Sequence, residues 1–433
     1  MASSLKKQAS MDGSEICVDT HPPDFSKWVD AMDAAANEVD LCREEAAWKK
    51  PSIYRVTGFA RCHNPNAFTP QVISFGPFHH DSELLKATEV HKHRALAHFL
   101  HRAGMRSEPF GLEEKWKENP YEFLKMMLLD GCFMIEVLRT DECPDDYAPN
   151  DPVFSSRMKP LRKPYIKRDM LLLENQLPLL VLKALLEVEN LGPADDKYIN
   201  CLVLSYCGKT FKANLPRLAN HPLELYRMSL LPEDAIVQVK SPPINGTKVI
   251  ETRVIENAVD LRASGVHFRI RNESTSLMDI NFDPKTGRLY LPVLSVHDGT
   301  EHLLLNMVAY EQIHVGVGNE ITSYAMFMDA LIDTADDKKK IISNSLGSHK
   351  DVAELFNRLP KEAAHDPNDA LNMVRYDLSE FHENKGNRWL ANLRHQYLHN
   401  PWKVLSIVAA LLVILLTFIQ TLYSVLSFHL GKS

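Results

Sequence analysis

The sequence predicts a mainly α-helical protein of the α+β class, with a small antiparallel β-unit and one C-terminal transmembrane helix. Three features support this prediction. Two segments, residues 120–140 and 168–187, are apolar on nearly every side, as buried helices are. Residues 265–297 contain runs with apolar side chains at every second position, a pattern typical of strands. Residues 404–426 carry no charge, which indicates a helix that crosses a membrane.

The domain organisation is predicted from composition. Residues 1–22 are small and polar, which predicts a disordered tail, and residues 23–400 are predicted to form one mostly helical body. The transmembrane helix is predicted over residues 404–426, and residues 427–433 form a short tail. The sequence contains no repeat of about 20–50 residues, so it does not predict a solenoid.

The first half of the body is predicted to alternate helices with proline-rich breaks. Helices are predicted over residues 24–45, 84–103 and 120–140, and extended pieces and turns over residues 52–80. Residues 141–164 contain five prolines, which predicts a loop.

The second of the two apolar segments, residues 168–187, is predicted to be a helix that Pro178 breaks or kinks. Asn175 or Gln176 is predicted to cap its second half. This helix is expected to pack against the helix over residues 120–140, because the two are the most apolar in the body.

The pattern changes at Gly265, where about three antiparallel strands are predicted with a turn at residues 283–287. Asp298 stands three residues before Glu301, which predicts the capped start of a helix. Residues 323–397 are predicted to be helices with short breaks.

The C-terminal segment carries the strongest physical signal in the chain. Of the 23 residues from Val404 to Leu426, fifteen are Leu, Ile, Val or Phe. Their transfer into a bilayer contributes roughly −4.5 to −9 kcal/mol, less the cost of Gln420 and the hydroxyl side chains. As a helix the segment is about 34 Å long, enough for a hydrocarbon core of about 30 Å.

The flanks of this segment predict a single-pass anchor whose body stays in the cytosol. The N-terminus lacks the apolar core of a signal peptide, and only seven residues follow the span. Lys385, Arg388, Arg394 and Lys403 precede the span, whereas only Lys432 follows it. The sequence does not distinguish the plasma membrane from an endomembrane.

One face of the predicted span carries small or polar residues at alternating spacings of four and three. This seam includes Ser406, Ala410, Thr417, Gln420 and Ser424. Such a 3.5-residue period lets two membrane helices approach and bond across the seam, which predicts a homo-oligomer. The alternative is that the hydroxyl groups bond their own backbone and that Gln420 reaches the membrane interface through helix tilt.

The charge balance argues against nucleic acid as a partner. The chain has 49 Lys and Arg residues against 56 Asp and Glu residues, for a formal net charge of −7. A binder of duplex DNA needs a basic surface that neutralises phosphates. The predicted partners are therefore the membrane and an unknown protein.

No cofactor or metal site is predicted. Gly208-Lys209-Thr210 resembles the end of a P-loop, but Val203 stands where that loop needs its first glycine. His91, His98 and His101 fall near one helix face without a pair at i, i+4, and the surrounding cations favour a solvated face.

Four carboxylates on the apolar segments are candidate acid–base groups. They are Asp130, Glu136, Asp169 and Glu174. Paired buried carboxylates catalyse proton transfer when their pKa values are pushed apart. More often such groups pair with arginine or lysine, or bond the backbone and side-chain amides, and Arg168, Asn175 and Gln176 are such neighbours. The sequence therefore favours a structural role, and no catalytic residue is predicted.

Seven stretches in order resemble one plant family, the domain of unknown function 247. They include IYRV from Ile53, NPNAFTPQVISFGPFHH from Asn64, MMLLDGCFMIEVL from Met126 and RDMLLLENQLPLLVL from Arg168. NAVDLRASGVHF, YAMFMDALIDTADD and the C-terminal apolar stretch complete the set, which covers about residues 50–428. The resemblance implies a plant protein with a mostly helical body and a C-terminal membrane anchor. It implies no catalytic residues, and some grass members of the family are implicated as pollen-side determinants of self-incompatibility.

Three functions are consistent with these features. The first is a membrane-anchored recognition or signalling protein without catalysis. The second is a membrane-tethered enzyme that uses buried carboxylates such as Asp130 and Glu174. The third is a structural tether that holds a protein partner at an endomembrane. A polar pocket with shifted carboxylate pKa values would favour the enzyme, and a groove without such a pocket would favour recognition.

Overall fold

The computed structural model describes a set of segments between residues 53 and 430. These are residues 53–58, 61, 64–103, 120–140, 147–209, 217–232, 255–271, 276–293, 299–314, 316–332, 370–384 and 401–430. The predicted tail over residues 1–22 and the helix predicted over residues 24–45 lie outside this set, as does Asp298.

The described body is mainly helical, with a small three-stranded sheet. The helices are α1 Lys86–Arg102, α2 Pro120–Arg139, α3 Lys159–Met170, α4 Leu179–Asn190, α5 Asp196–Tyr206, α6 Pro222–Leu230, α7 Ala258–Ala263, α8 Thr300–Ile313, α9 Glu320–Leu331, α10 Asn372–Glu383 and α11 Pro401–Leu430. The strands are β1 His267–Arg271, β2 Asn281–Asp283 and β3 Arg288–Pro292.

The apolar segment over residues 168–187 is not one helix. Helix α3 ends at Met170, residues 171–178 are not helical, and Pro178 is the N-cap of α4 without a side-chain cap bond. The prediction that Asn175 or Gln176 caps this helix was therefore wrong. Their amide groups instead bind the main chain of other segments, as described below, which holds residues 171–178 in their irregular path.

The loop predicted over residues 141–164 was also wrong at its end, because α3 begins at Lys159. Pro160 lies in the first turn, where a missing N–H removes no helical hydrogen bond. Pro164 lies inside the helix and interrupts only its own bond.

The sheet is mixed, not antiparallel. Its strand order is β1-β3-β2, with β1 parallel to β3 and β2 antiparallel to β3. Gly287, at a φ of 64°, closes the tight turn that joins β2 to β3. The alternating pattern correctly indicates strands, but it holds no information on which strand is central or on the direction of a non-consecutive pair.

Two hydrophobic cores share this body. The first core contains residues of α1, α2, α4 and α5, and the second contains the sheet, α8, α9 and α10. The predicted contact between the two most apolar segments is confirmed, since α2 and α4 approach closely at Gly131. A Cβ atom there would lie 2.5 Å from Leu185 Cδ1.

Helix α6 lies between the two cores, and all nine of its residues are buried. Leu223 and Tyr226 belong to the second core, whereas Leu225 and Met228 belong to the first. Arg227 is buried because its guanidinium binds Glu311, at 2.7 Å, and Glu320, at 2.5 Å.

The last helix, α11, differs from the rest because every side chain described on it is exposed. Those side chains are residues 405–406 and 409–424. Within the part of the chain that the structure describes, no helix combines the length and the apolar character needed to cross a membrane. The structure thus supports the predicted C-terminal helix but not its transmembrane character.

Candidate functional site

The buried carboxylates singled out in the sequence bind the main chain. Asp169 accepts hydrogen bonds from the amides of Gln71, Val72 and Ile73, at 2.7–3.1 Å. Burial raises the pKa of Asp169, and these amides together with Arg168 oppose that rise. Because these donors come from residues 71–73, the Asp169 carboxylate accepts main-chain hydrogen bonds that a neighbouring strand would accept in a sheet.

Asp130 also binds the main chain of residues 71–76, which we call the clamped segment. One of its oxygens accepts the Gly76 amide at 2.8 Å, and the other lies 2.6 Å from the Lys92 ammonium. Both side chains are fully buried. Gly76 has a φ of 70°, and a Cβ atom there would lie 2.6 Å from the carbonyl oxygen of Gln176.

The amide side chains of residues 171–178 hold the other side of this region. Asn175 accepts the Phe75 amide at 2.8 Å and donates to the Ile73 carbonyl at 3.0 Å. Gln176 donates to the Met170 carbonyl and accepts the Leu223 amide, which ties α3 to α6.

The two remaining carboxylates are bound in a similar way. Glu174 accepts the Val56 amide at 2.8 Å and pairs with Arg61. Burial acts to raise the pKa of Glu174, but His79, Arg61 and the Val56 amide bring it below its ordinary value. Glu136 pairs with Arg102 and accepts the Tyr147 hydroxyl.

Each of the four carboxylates is thus bound by donors of its own that fix the fold. Acid–base catalysis needs a carboxyl group that faces a substrate and exchanges its proton. These carboxylates face main-chain amides and cations instead. The geometry therefore favours the structural role over the enzyme.

The structure contains a cavity of about 740 Å³ that was not predicted from the sequence. We call it the basic cavity. Helix α3 forms one side, and the end of α5 and the start of α8 form the others. Its described lining residues are Gln71, Pro160, Lys163, Pro164, Tyr165, Lys167, Arg168, Leu171, Leu172, Tyr206, Cys207, Gly208, Gly299, His302 and Leu303.

Three lysines gather at the end of α5. Lys167 Nζ donates to the Cys207 carbonyl at 2.8 Å. Lys163 Nζ lies 4.8 Å from the centre of the Tyr206 ring, and Lys209 Nζ lies 5.4 Å from that of Tyr226. Such contacts between an ammonium group and an aromatic face are favourable. The contact with Tyr206 holds the Lys163 chain against the wall of the cavity, which both residues line.

The Gly208-Lys209 pair ends helix α5 and does not form a nucleotide loop. The Lys209 amide donates to the Leu204 carbonyl and the Gly208 amide to the Ser205 carbonyl, both at 2.9 Å. Gly208 has a φ of 71°. This is the Schellman arrangement, in which a glycine with positive φ closes a helix.

The thiol of Cys207 is not set up as a nucleophile. Burial raises the pKa of Cys207 to about 11, although Lys167, Lys163 and Lys209 act to lower it. A thiol with such a pKa stays protonated at neutral pH, so it contributes an apolar surface to the cavity.

The histidines of α1 do not converge on one point. His98 packs on Tyr147 with ring centres 4.2 Å apart, whereas His91 Nδ1 lies 2.8 Å from Arg94. Among the described residues, no group of three or more His, Cys, Asp or Glu side chains is arranged to hold a metal ion.

The residues of the predicted membrane seam lie along α11. Ser406, Ala410, Thr417, Gln420 and Ser424 are all exposed. The Thr417 hydroxyl donates to the Val413 carbonyl at 2.8 Å, as the alternative interpretation of the seam expects. The seam as an interface between two copies stays a prediction.

A signal for the basic cavity is present in the sequence. Lys159, Arg162, Lys163, Lys167 and Arg168 lie in ten residues without an acid. The prolines in this stretch predicted a loop, and a charged loop is ordinarily solvated. Helix α3 instead places Lys163, Lys167 and Arg168 in one wall.

The fold and these sites define a mainly helical protein with a small mixed sheet, two cores joined by a buried helix, and a basic cavity. The chain belongs to the plant family called domain of unknown function 247, described as plant protein of unknown function. The family's profile matches residues 53–416. This confirms the resemblance drawn from the sequence motifs.

Two relatives from Arabidopsis thaliana match over nearly their whole length. The UPF0481 protein At3g47200 is 29% identical over 440 aligned positions, which cover 92% of this chain and 91% of the relative. The putative UPF0481 protein At3g02645 is 22% identical, with 92% and 95% covered. No solved structure matches the chain significantly.

Proposed function

We propose that this chain is a membrane-anchored recognition or signalling protein of plants that performs no catalysis. In this proposal α11 enters a bilayer, the body lies in the cytosol, and a protein partner is recognised there. The observation that carries the proposal is the surface of α11. Its large apolar side chains are between 52% and 76% exposed, and they include Leu411, Ile414, Phe418 and Tyr423.

An apolar surface of this extent is unfavourable in water, and a bilayer would cover it. The charge-free sequence of residues 404–426 supports the same proposal. The alternative of a membrane-tethered enzyme is supported less well, because Asp130 and Glu174 are bound within the fold.

The anchor can be tested by substitution at its centre. The variant Leu411→Arg with Leu415→Arg is expected to release the chain from microsomes into an alkaline carbonate wash. Each arginine costs about 2.5–3.5 kcal/mol near the middle of a span, which offsets most of the favourable transfer of the segment. The control Leu411→Ala with Leu415→Ala should stay in the membrane pellet, because alanine adds no charge.

The orientation is tested on the same intact microsomes. Protease added outside is expected to digest the body. Asn245 and Asn272 each stand two residues before a threonine or serine, the pattern of an N-glycosylation site. A body protected from protease, or a glycan on either asparagine, would place the body in the lumen and contradict the proposal. A parent chain that carbonate extracts completely would contradict the anchor itself.

We further propose that α11 associates with a second copy through its seam. In a membrane-helix association assay on residues 402–428, Gln420→Leu with Thr417→Val is expected to weaken self-association. The reason is the loss of hydrogen bonds between helices, which contribute about 0.6–2 kcal/mol per contact. Leu415→Val lies on another face and should leave association unchanged. Equal association of both variants and the parent, or none in the parent, would refute the seam.

The most specific form of the proposal is a pollen-side determinant of self-incompatibility, the role in which some grass members of the family are implicated. Sequences of natural alleles test it directly. Extreme variation gathered on one face of the body would support self/non-self recognition, and uniform alleles would count against it.

A further inference from the structure

We propose that the basic cavity binds an organic anion, that is, a molecule with an acidic group on an apolar body of small-molecule size. The inference rests on the proposed recognition role and names the class of ligand that is recognised. Four observations on the cavity support it: its charge, the helix at its edge, its walls and its size.

The charge of the cavity is positive. Arg168 is paired with Asp169 at 3.0 Å, so it adds little net charge to the cavity. Lys163 and Lys167 line the cavity, and both act on the Cys207 thiol together with Lys209, which follows the lining residue Gly208. The carbonyl groups at the end of α5 carry about half a negative charge, and one of them, that of Cys207, accepts a hydrogen bond from the Lys167 ammonium. No carboxylate is found among the described residues that line the cavity.

Lys163, which lines the cavity, is repelled by Lys159 on the same helix, and a bound anion would relieve this repulsion. Lys159 and Lys163 stand one helical turn apart on α3. Burial lowers the pKa of Lys159, and the charge of Lys163 lowers it further. Like charges at this spacing destabilise a helix.

The start of α8 adds to this field. Gly299, His302 and Leu303 line the cavity, and Gly299 is the N-cap of this 14-residue helix. The first turn of a helix carries partial positive charge on its main-chain amides, which favours a nearby anion. The cations on one wall and the helix start on another would both attract an acidic group.

The walls and the size indicate an organic ligand. Pro164, Tyr165, Leu172 and Leu303 are among the apolar lining residues. A volume of about 740 Å³ falls within the range of about 300–1,000 Å³ that is typical of small-molecule sites. An inorganic ion would leave most of this space and the apolar walls unused.

Calorimetric titration of the purified full-length chain tests the inference, with 1-naphthyl phosphate as the probe. The chain is kept in a non-ionic detergent, so the result does not depend on whether α11 enters a bilayer. We expect 1-naphthyl phosphate to bind at least tenfold more tightly than either inorganic phosphate or 1-naphthalenemethanol. These two compounds carry the acidic group and the apolar body separately.

The variant Lys163→Gln with Lys167→Gln is expected to weaken binding of 1-naphthyl phosphate at least tenfold. Lys285→Gln with Arg288→Gln removes the same charge from the exposed β2–β3 turn and should bind like the parent. Because Lys167 also caps α5, each variant is first checked for an unchanged melting temperature. If the double variant melts early, Lys163→Gln alone, which leaves the Lys167 bond intact, should still weaken binding at least threefold.

Three results would overturn the inference. They are no binding of 1-naphthyl phosphate to the parent, parent-like binding in the folded lysine variants, and equal affinity for inorganic phosphate. A short-chain phosphatidic acid, compared with 1-naphthyl phosphate by competition, then identifies the source of the anion. Tighter binding of the former would indicate a lipid, and tighter binding of the latter a soluble compound.

Discussion

Lys92→Met is expected to lower the free energy of unfolding by about 3–5 kcal/mol, because it leaves the Asp130 carboxylate buried without its cation. Both side chains are fully buried, with the ammonium nitrogen 2.6 Å from the carboxylate oxygen. Denaturant unfolding of the full-length chain in non-ionic detergent, followed by circular dichroism, measures the change.

The matched control is the double variant Lys92→Met with Asp130→Asn. The asparagine side-chain oxygen can still accept the Gly76 amide, which Asp130 now accepts at 2.8 Å. Both charges of the buried pair are gone. Glu89, which also lies 2.8 Å from the Lys92 ammonium, is partly exposed and still accepts the Ser74 hydroxyl, so the double variant should recover most of the lost stability. A double variant as unstable as Lys92→Met alone would show that lost packing, not the unpaired charge, causes the effect.

The loss in Lys92→Met should also depend on pH. Burial raises the pKa of Asp130, and Lys92 acts to lower it, so removing Lys92 raises it further. A folded carboxyl group with a raised pKa holds its proton at a pH where the unfolded chain has lost it. Stability therefore rises as pH falls through that interval. The deficit relative to the double variant should shrink between pH 7 and about pH 4.

Phe133→Ala is expected to cost about 3–5 kcal/mol, the usual range for removing a fully buried aromatic ring. Phe133 is 0% exposed in the first core. Its ring centre lies 6.1 Å from that of Phe75 and 5.5 Å from that of Phe154. The surrounding chain therefore cannot close over the space without disturbing the clamped segment, residues 71–76.

Leu128→Ala on the same helix is the control, since Leu128 is 37% exposed. It should cost about 1 kcal/mol or less, as changes away from the core do. Thermal and denaturant unfolding of both variants compares them directly. A loss of about 1 kcal/mol or less in Phe133→Ala, as in the control, would place Phe133 outside the core and refute the assignment.

The elements that could be predicted from sequence are those whose signal is local. Helix α2 was identified within a residue or two, because its apolar side chains occupy every face. Its contact with α4 followed from the same composition. The C-terminal helix is similarly evident from its uninterrupted apolar run.

The elements that were missed depend on distant partners. Helix α6 contains Glu224 and Arg227 within nine residues, which suggests an exposed segment. It is buried because Glu311 and Glu320, far along the chain, bind Arg227. The direction of β1 was missed for a related reason, since its neighbour β3 is not next in sequence.

The candidate carboxylates were located correctly, but their partners were only partly foreseen. Of the candidate partners, Arg168 bonds the Asp169 carboxylate, whereas Asn175 bonds the main-chain carbonyl of Asp169 and not its carboxylate. Bonds from main-chain groups were expected, but the segment that supplies them, residues 71–73, was not, because any residue type supplies the same amide. The basic cavity was missed because three separate helices form it.

The position of α6 between the two cores bears on how such a body can evolve. Neither core is an independent evolutionary module, because α6 packs into both. A gene fragment that encoded one core would either lack α6 or carry it with one side unpacked. Duplication, loss or exchange of half the body would expose Leu225 and Met228, or Leu223 and Tyr226, to water. Such a chain can diverge by substitution but not by shuffling. In both Arabidopsis relatives the match accordingly runs through more than nine tenths of the chain, with 29% and 22% identity.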